Sequence, residues 1–400
     1  MTMRPCWAEI NTRALEDNFR FLKSLAADDA ELLAVVKSDA YGHSLDLCAP
    51  AAVRAGARWL GVTSVEEGIA ARALCPEANV LIMCGCFPGE GAAVVRHRLT
   101  PVVWEPWQLD ELEGAARAAG VAAGTLPVHL EIDTGMSRQG VDLTRLAAIL
   151  ARLEAGSSLR LEGVLTHLFA ADESDRRATD GQMARLDEAL GQIAAAGFDG
   201  SEKGAEWLSV GSSALLLSGQ SCQIADLAKK WGMKALLRPG LALFGVAPQF
   251  EPDEPVLVAA ARAHLKPVLT WKTQVVGVRT VPAGAVIGYN GTFVATEPMR
   301  LALLAVGYAD GLDRRLGNCF SLLVRGERAP LVGRISMDLA VVDVTEIEGV
   351  VAGDEVVILG SQGGTQGNET ISAEDHARAS GTIPWEVFTR IGQRVRRVAV

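Results

Sequence analysis

The sequence predicts an α/β + β protein: an N-terminal (β/α)8 barrel over residues 1–250 and a C-terminal mostly-β domain over 251–400. Three observations predict it. Eight short apolar runs alternate with helical patterns in the first part of the chain, as a parallel sheet with crossover helices requires, and eight such units match a closed barrel in size. After "FGVAPQFEPDEP", whose two closely spaced prolines among acids read as a linker, the texture changes to short strands and turns. No GxGxxG follows the first barrel strand, so the rival open dinucleotide-binding sheet has nothing specific behind it.

The eight runs are "LLAVV" at 32–36, "WLGV" at 59–62, "VLIM" at 80–83, "PVVW" at 101–104, "VHLEI" at 128–132, "LEGVL" at 161–165, "WLSV" at 207–210 and "ALLRPGLALFG" at 235–245. Between them, Leu15, Phe19, Leu22 and Leu25 recur at helical spacing. Ser64 with Glu67 three residues on forms a capping-box pattern just after a strand. Helical patterns also end at Gly156 and Gly197, as helices often do. The stretch 217–235 is a long excursion between the last two runs with no role assigned by its pattern. The second half reads as short strands with turn signals, "VLTWKTQVVGVRTV", "LALLAVGYADG", "SLLVRGERAPLVG", "LAVVDVT" and "DEVVILG", with one helix pattern after Ser372.

A chain of 400 residues, 49% hydrophobic and 22% charged, can bury a sizeable core. Its net charge of −10 argues against nucleic acid or an anionic membrane as a main partner. The terminal "RIGQRVRRV" is locally basic and reads as a solvated face or a set of internal ion-pair partners. Seven scattered cysteines without a CxxC pair indicate reduced thiols, and "CGC" at 84–86 lacks the second pair of ligands a metal needs. No export signal and no run of membrane-spanning length is visible, so a cytoplasmic location is expected.

In a barrel of this kind, the C-terminal ends of the strands surround one pocket. Those ends collect Lys37 and Tyr41 after the first run, Asp133 and Arg138 after the fifth, and His167 after the sixth. Ser212 and Ser213 follow the seventh, and Arg238 and Gly240 lie within the eighth. Taken singly, each has a plainer reading: an ion-pair lysine, a satisfied histidine, a loop salt bridge between Asp133 and Arg138, a helix cap at the serines. Together they suggest pyridoxal phosphate. That cofactor needs a lysine for a Schiff base, an anion site and a partner for its ring nitrogen, and Lys37, the serines with Gly240, and Arg238 supply these in turn.

The chain also resembles a known family. "AVVKSDAYGHS", "IDTGMSRQG", "LTHLFAADE" and "LRPGLALFGV" in the first half are similar to the barrel motifs of the alanine racemases. "VIGYNGTF", "LAVGYADGLDRR", "APLVGRISMDLAVVDVT" and "GTIPWEVFTRIGQRVRRV" in the second half follow in the same order. The resemblance implies a homodimer with shared active sites that interconverts L- and D-alanine, supplying D-alanine for cell-wall peptidoglycan. It implies that Lys37 holds the cofactor and serves as one base, with Tyr289 entering from the partner as the other. Tyr41 would hold the phosphate, Arg238 face the pyridine nitrogen, and His167 link Arg238 to Tyr289. Arg138 would sit by the phenolic oxygen and the substrate carboxylate, with Met337 and Tyr308 at the substrate entrance. Two bases suit racemisation, which removes a proton from one face of Cα and returns one to the other; lysine and tyrosine share a reference pKa of about 10.

Three positions depart from the family pattern. Glu131 stands where a lysine, often carbamylated, is common, and is expected to replace the carbamate through a charge-assisted bond to Arg138. Trp385 stands where a phosphate-side tyrosine is usual, and Ser336 precedes Met337 where a cysteine is common. A serine-preferring or broad-specificity racemase is the nearest alternative. The decarboxylases of the same fold type share the two-domain plan, and a non-catalytic pyridoxal phosphate carrier is the alternative of another class.

Overall fold

The computed structural model describes residues 4–154, 157–200, 204–364 and 367–400; the predicted helix end at Gly156 lies outside them. The chain divides into two units. One comprises Arg13–Ala40 and Cys48–Lys266, the other Met1–Thr12, Tyr41–Leu47 and Pro267–Val400.

The first unit is a closed eight-stranded parallel barrel. Its strands are Glu31–Val35, Trp59–Val62, Asn79–Ile82, Thr100–Val103, Leu126–Glu131, Leu159–Leu165, Trp207–Ser209 and Lys234–Leu237. Closure comes from pairing of the first with the last, Glu31 opposite Leu236 and Leu32 opposite Leu237. Most strand residues are buried, which explains why parallel strands with both faces covered read as continuous apolar runs. Trp59 and Trp207 open their strands, and Trp59 packs on both His129, at a ring distance of 5.5 Å, and Trp207, at 5.8 Å. Gly163 makes room there: a Cβ at that position would lie 2.6 Å from the His129 ring. These rings close the barrel at the end opposite to Lys37.

Two expectations change. Arg238 and Gly240 lie just past the eighth strand, not within it, because the strand stops at Leu237. Pro239 follows, bringing no backbone N–H for a ladder and restricting the residue before it, and Leu241–Phe244 is a short 3-10 helix. The excursion at 217–235 holds the helix Ser221–Lys230, which buries Ile224, Ala225 and Ala228 and is an ordinary crossover helix of the barrel.

The second unit is built on a nine-stranded sheet. The long strand Leu269–Val281 pairs with Cys6–Ile10, Met299–Leu304 and Glu355–Gly364, and Cys6–Ile10 also pairs in parallel with Arg396–Ala399. The two units therefore do not follow a single cut in the chain. The N-terminal strand belongs to this sheet, and the break in the chain falls between Lys266 and Pro267, after a further helix Val256–Arg262. The basic terminus makes internal bonds: Arg390 pairs with Asp313, Arg394 with Asp310 and Asp338, and Arg397 donates to four backbone carbonyls. Among the described residues no helix is long and apolar enough to cross a membrane.

Candidate active site

The stretch that carries Lys37 has an unusual backbone. Val36 donates to the Gly61 carbonyl at 2.9 Å, at the edge of the neighbouring strand. Lys37, half-buried, comes next. Then Ser38, Asp39, Ala40 and Tyr41 all have φ between 53 and 55°, a left-handed turn of four side-chain-bearing residues. Such a conformation costs on the order of 1–2 kcal/mol per residue, so the surroundings must impose it. In the barrel unit, the Ala40 N–H reaches the Val36 carbonyl at 2.9 Å. The Glu67 carboxylate accepts from the Ser38 N–H at 2.5 Å and the Thr63 N–H at 2.9 Å. Ser64 caps the helix Val65–Leu74 by accepting from the Glu67 N–H, as predicted. The reciprocal arm of the capping box is redirected, so that Glu67 anchors the turn behind Lys37 instead. In the second unit, Gly42 ends the turn at φ 77° against the helix Pro384–Thr389, where a Cβ would lie 2.5 Å from the Phe388 carbonyl oxygen. Tyr41 is buried, and burial pushes its phenol well above the usual range.

Arg238 lies buried at the barrel mouth and donates to Ser209 Oγ at 2.7 Å and to the Thr166 carbonyl at 2.8 Å. Its Nη2 also approaches His167 Nδ1 at 3.4 Å. A guanidinium only donates, so Nδ1 is the acceptor and the ring proton sits on Nε2. Burial, with the charges of Arg238, Arg138 and Lys37, pulls the His167 imidazole down to about 3 and keeps it neutral. Burial pulls the Arg238 guanidinium to about 10, opposed by the charge of Glu131 and assisted by that of Arg138.

Glu131 is buried at the end of its strand, and burial raises its carboxyl, opposed first by the Gln139 hydrogen bond and then by the Arg238 and Arg138 charges. The expected direct bond to Arg138 is not made. Its partner is Gln139, whose Nε2 donates both to Glu131 Oε2 and to the Met83 carbonyl, while Arg138 is exposed and acts through its charge. The alternative loop salt bridge is replaced too: Asp133 Oδ1 accepts from the Gly135 and Ser137 amides. Lys37, Arg138 and Arg238 are thus three cations whose charges act on His167, a cationic spot suited to an anionic ligand, with Glu131, Asp133 and Glu67 as the carboxylates around it.

The expected anion cradle is partly used by the protein itself. Ser213 Oγ accepts from the Gly240 and Ala242 amides, both at 3.1 Å, which spends the Gly240 N–H. Ser212 is half-buried at the cap position of the short helix Ser213–Leu217 and makes no side-chain cap bond.

In the second unit, Tyr289 stands on the tip between the strands Val286–Ile287 and Phe293–Val294, 68% exposed. The tip is anchored by Ile287, buried with Ala295, Met299, Leu301 and Val332. Tyr308 and Met337 are brought together: the Tyr308 amide donates to the Ser336 carbonyl and the Ala309 amide to the Met337 carbonyl. Gly307 permits this, since a Cβ there would lie 2.3 Å from the Met337 oxygen. Asp310, fully buried, ties both loops down through Arg4 at 3.0 Å and Arg394 at 2.7 Å. Trp385 is half-buried on the helix Pro384–Thr389.

Sequence reasoning missed Gln139, Ser209, Thr134, Thr166 and Gln182, all of which bond to site residues or to the loops that carry them. It also read Glu67 only as a cap. A polar residue at an apolar position of the pattern, as Gln182 is, was the available signal.

Two family models cover most of the chain: "Alanine racemase, N-terminal domain" over residues 10–248 and "Alanine racemase, C-terminal domain" over 268–399. A curated relative, the alanine racemase of Syntrophobacter fumaroxidans, is 37% identical over 391 residues, covering 98% of this chain and 96% of that one. Among solved structures, the alanine racemase from D-cycloserine-producing Streptomyces lavendulae superposes with a TM-score of 0.85 at 33% identity, covering 100% of this chain and 98% of that one. The alanine racemase from Bartonella henselae with covalently bound pyridoxal phosphate gives 0.82 at 26% identity, covering 99% of each chain.

Proposed function

The chain belongs to the alanine racemase family, and from that premise we propose that it interconverts L- and D-alanine with pyridoxal 5′-phosphate as its cofactor. The carrying observation is the Lys37–Arg238–His167 arrangement at the barrel mouth, where the charges of Lys37, Arg138 and Arg238 act together on His167. Those charges fit a phosphorylated group, and the family match runs on through residues 268–399, beyond what a barrel-only carrier has.

Lys37 would hold the cofactor by its amine and act on one face of the substrate Cα. When bound, the cofactor supplies an electron sink that makes the Cα–H acidic. Arg238 would meet the ring nitrogen with a donor that keeps its proton near neutral pH, so it would stabilise that nitrogen without protonating it. His167, neutral with its proton on Nε2, would accept from Arg238 and donate onward. Arg138, exposed and cationic, would meet the substrate carboxylate. Glu131 would supply a negative charge near it, held in place by Gln139. Tyr41, Ser212, Ser213 and Gly240 would bound the phosphate, with Trp385 alongside.

The second base would be Tyr289 of the partner subunit, with the partner's Tyr308 and the partner's Met337 at the entrance. Exposure of these three side chains on an otherwise well-packed unit supports a homodimer with shared sites.

The test is optical. Purified protein should show a visible band that borohydride abolishes, and should remove the optical rotation of L-alanine faster than that of L-serine. A preference for L-serine would move the substrate to the serine racemases; a coloured protein that racemises neither would be a carrier. Shared sites have their own test. Lys37→Ala and Tyr289→Phe subunits, each inactive alone, should regain activity when mixed and reassembled, because half of the sites in a mixed dimer then hold both bases.

A further inference from the structure

The helix Arg177–Ala195 carries three polar residues at three-residue spacing, Thr179, Gln182 and Arg185, which share one face. All three bond to the two loops that carry His167 and Arg138. Thr179 Oγ1 donates to the Ala170 carbonyl at 3.1 Å, and Arg185 Nε donates to the Thr134 carbonyl.

Gln182 is fully buried. A buried side-chain amide has two N–H donors and one carbonyl acceptor to satisfy, and leaving them unmet is costly. Here each is met. Oε1 accepts from the Phe169 N–H at 3.0 Å. Nε2 donates to the His167 carbonyl and to Thr134 Oγ1, both at 3.0 Å. The partners fix the amide's orientation, since a backbone N–H must face oxygen and a carbonyl must face nitrogen.

The bonds beyond it run one way. Thr166 Oγ1 has the Ile132 carbonyl at 2.8 Å, so it spends its proton there. It can then only accept from Thr134, 2.8 Å away. Thr134 in turn accepts from Gln182. The directed chain is Gln182 to Thr134 to Thr166 to the end of the strand Leu126–Glu131. The Thr166 carbonyl meanwhile receives Arg238. The His167 peptide is thus gripped on both sides, by Arg238 before it and by Gln182 after it.

We propose that Gln182 is a positioning residue: its side-chain amide fastens the loop of His167 to the loop leading to Arg138, and so sets the His167 ring against Arg238. The proposal rests on the racemase reading given above, and it assigns Gln182 no contact with substrate or cofactor.

The test uses the cofactor-loaded enzyme. Gln182→Met, similar in volume but without the amide, and Thr134→Val should each lower kcat for L-alanine by about 10-fold or more, the scale on which misplaced groups act. KM should stay within about 3-fold, Thr134→Ser should stay within about 2-fold of the parent, and the double variant should be little worse than either single one. The second readout needs no turnover. In Gln182→Met the Phe169 amide should exchange at least about 10-fold faster, while amides in the middle of the helix keep their protection. A parent-like kcat with parent-like Phe169 exchange overturns the proposal. So does exchange that rises equally along the whole helix, which marks a merely structural residue. If Gln182→Met does not fold, the Thr134→Val and Thr134→Ser pair decides. A parent enzyme that racemises nothing would sink the racemase reading instead, and Phe169 exchange would still judge the clamp.

Discussion

The barrel mouth and the loops of the second unit hold their candidate residues in opposite ways. At the mouth, Arg238 and Glu131 are buried and bonded, and His167 stays neutral among three cations. In the second unit, Tyr289, Tyr308 and Met337 are 68%, 43% and 55% exposed, although the loops beneath them are tied down by Ile287 and Asp310. Such stiffly presented, exposed side chains teach that position can be fixed through the backbone, leaving the side chain free for another molecule. Substitutions at the mouth should therefore cost stability as well as activity, and substitutions on the loops activity alone.

The largest expected effect is that of Lys37→Ala, which should lower kcat by at least about 10³-fold by removing the nucleophilic amine, with loss of the borohydride-sensitive band. Tyr289→Phe should follow, at about 10²–10⁴-fold in kcat, with a melting temperature unchanged because the hydroxyl is exposed. A large drop in melting temperature for Tyr289→Phe would break the comparison. Arg238→Met removes the donors to Ser209 and Thr166. It should cost about 2–4 kcal/mol of stability by denaturant unfolding as well as activity.

A smaller effect concerns pH. The His167 imidazole is depressed to about 3 in the folded protein, below its unfolded value of about 6.5. Between these values the unfolded chain binds the extra proton. Its contribution to stability is flat above pH ~6.5 and declines by up to about 1.4 kcal/mol per pH unit as pH falls toward 3. Urea melts of the parent and His167→Gln across that window should differ in slope in this sense, and an imidazole titrating near neutrality by NMR would contradict it. Met337→Leu should do least, changing KM by no more than about 3-fold with kcat and stability unchanged, as befits a volume-conserving swap at an exposed side chain.

The eight barrel strands were legible because strands covered on both faces need unbroken apolar runs. Lys37, Arg238 and His167 were legible because barrel topology gathers strand ends. Cys6–Ile10 was not: its alternates Trp7 and Glu9 leave a short, half-buried pattern, and its antiparallel partners lie more than two hundred residues away in the chain. For the same reason the grouping of this strand and Tyr41–Leu47 with the second unit could not be read from chain order. The roles of Glu67 and Gln182 were hidden in another way, since a polar residue at an apolar position marks Gln182 without naming its partners. They bind backbone amides and carbonyls of distant loops, 29 residues away for Ser38 and 13 for Phe169, and any residue type can offer a backbone amide. Glu131 shows a third limit, for its charge was readable while its partner, Gln139, was not.

The inverted turn behind Lys37 has a consequence for biogenesis. An unfolded chain visits that handedness only fleetingly at four successive chiral residues, so nothing local can pre-shape the seat of the reactive amine. It forms when Glu67 and its surroundings are already in place. A nascent or partly folded polypeptide would then offer the vitamin-derived aldehyde only ordinary surface lysines. Capture of the coenzyme at position 37 would report that maturation is complete.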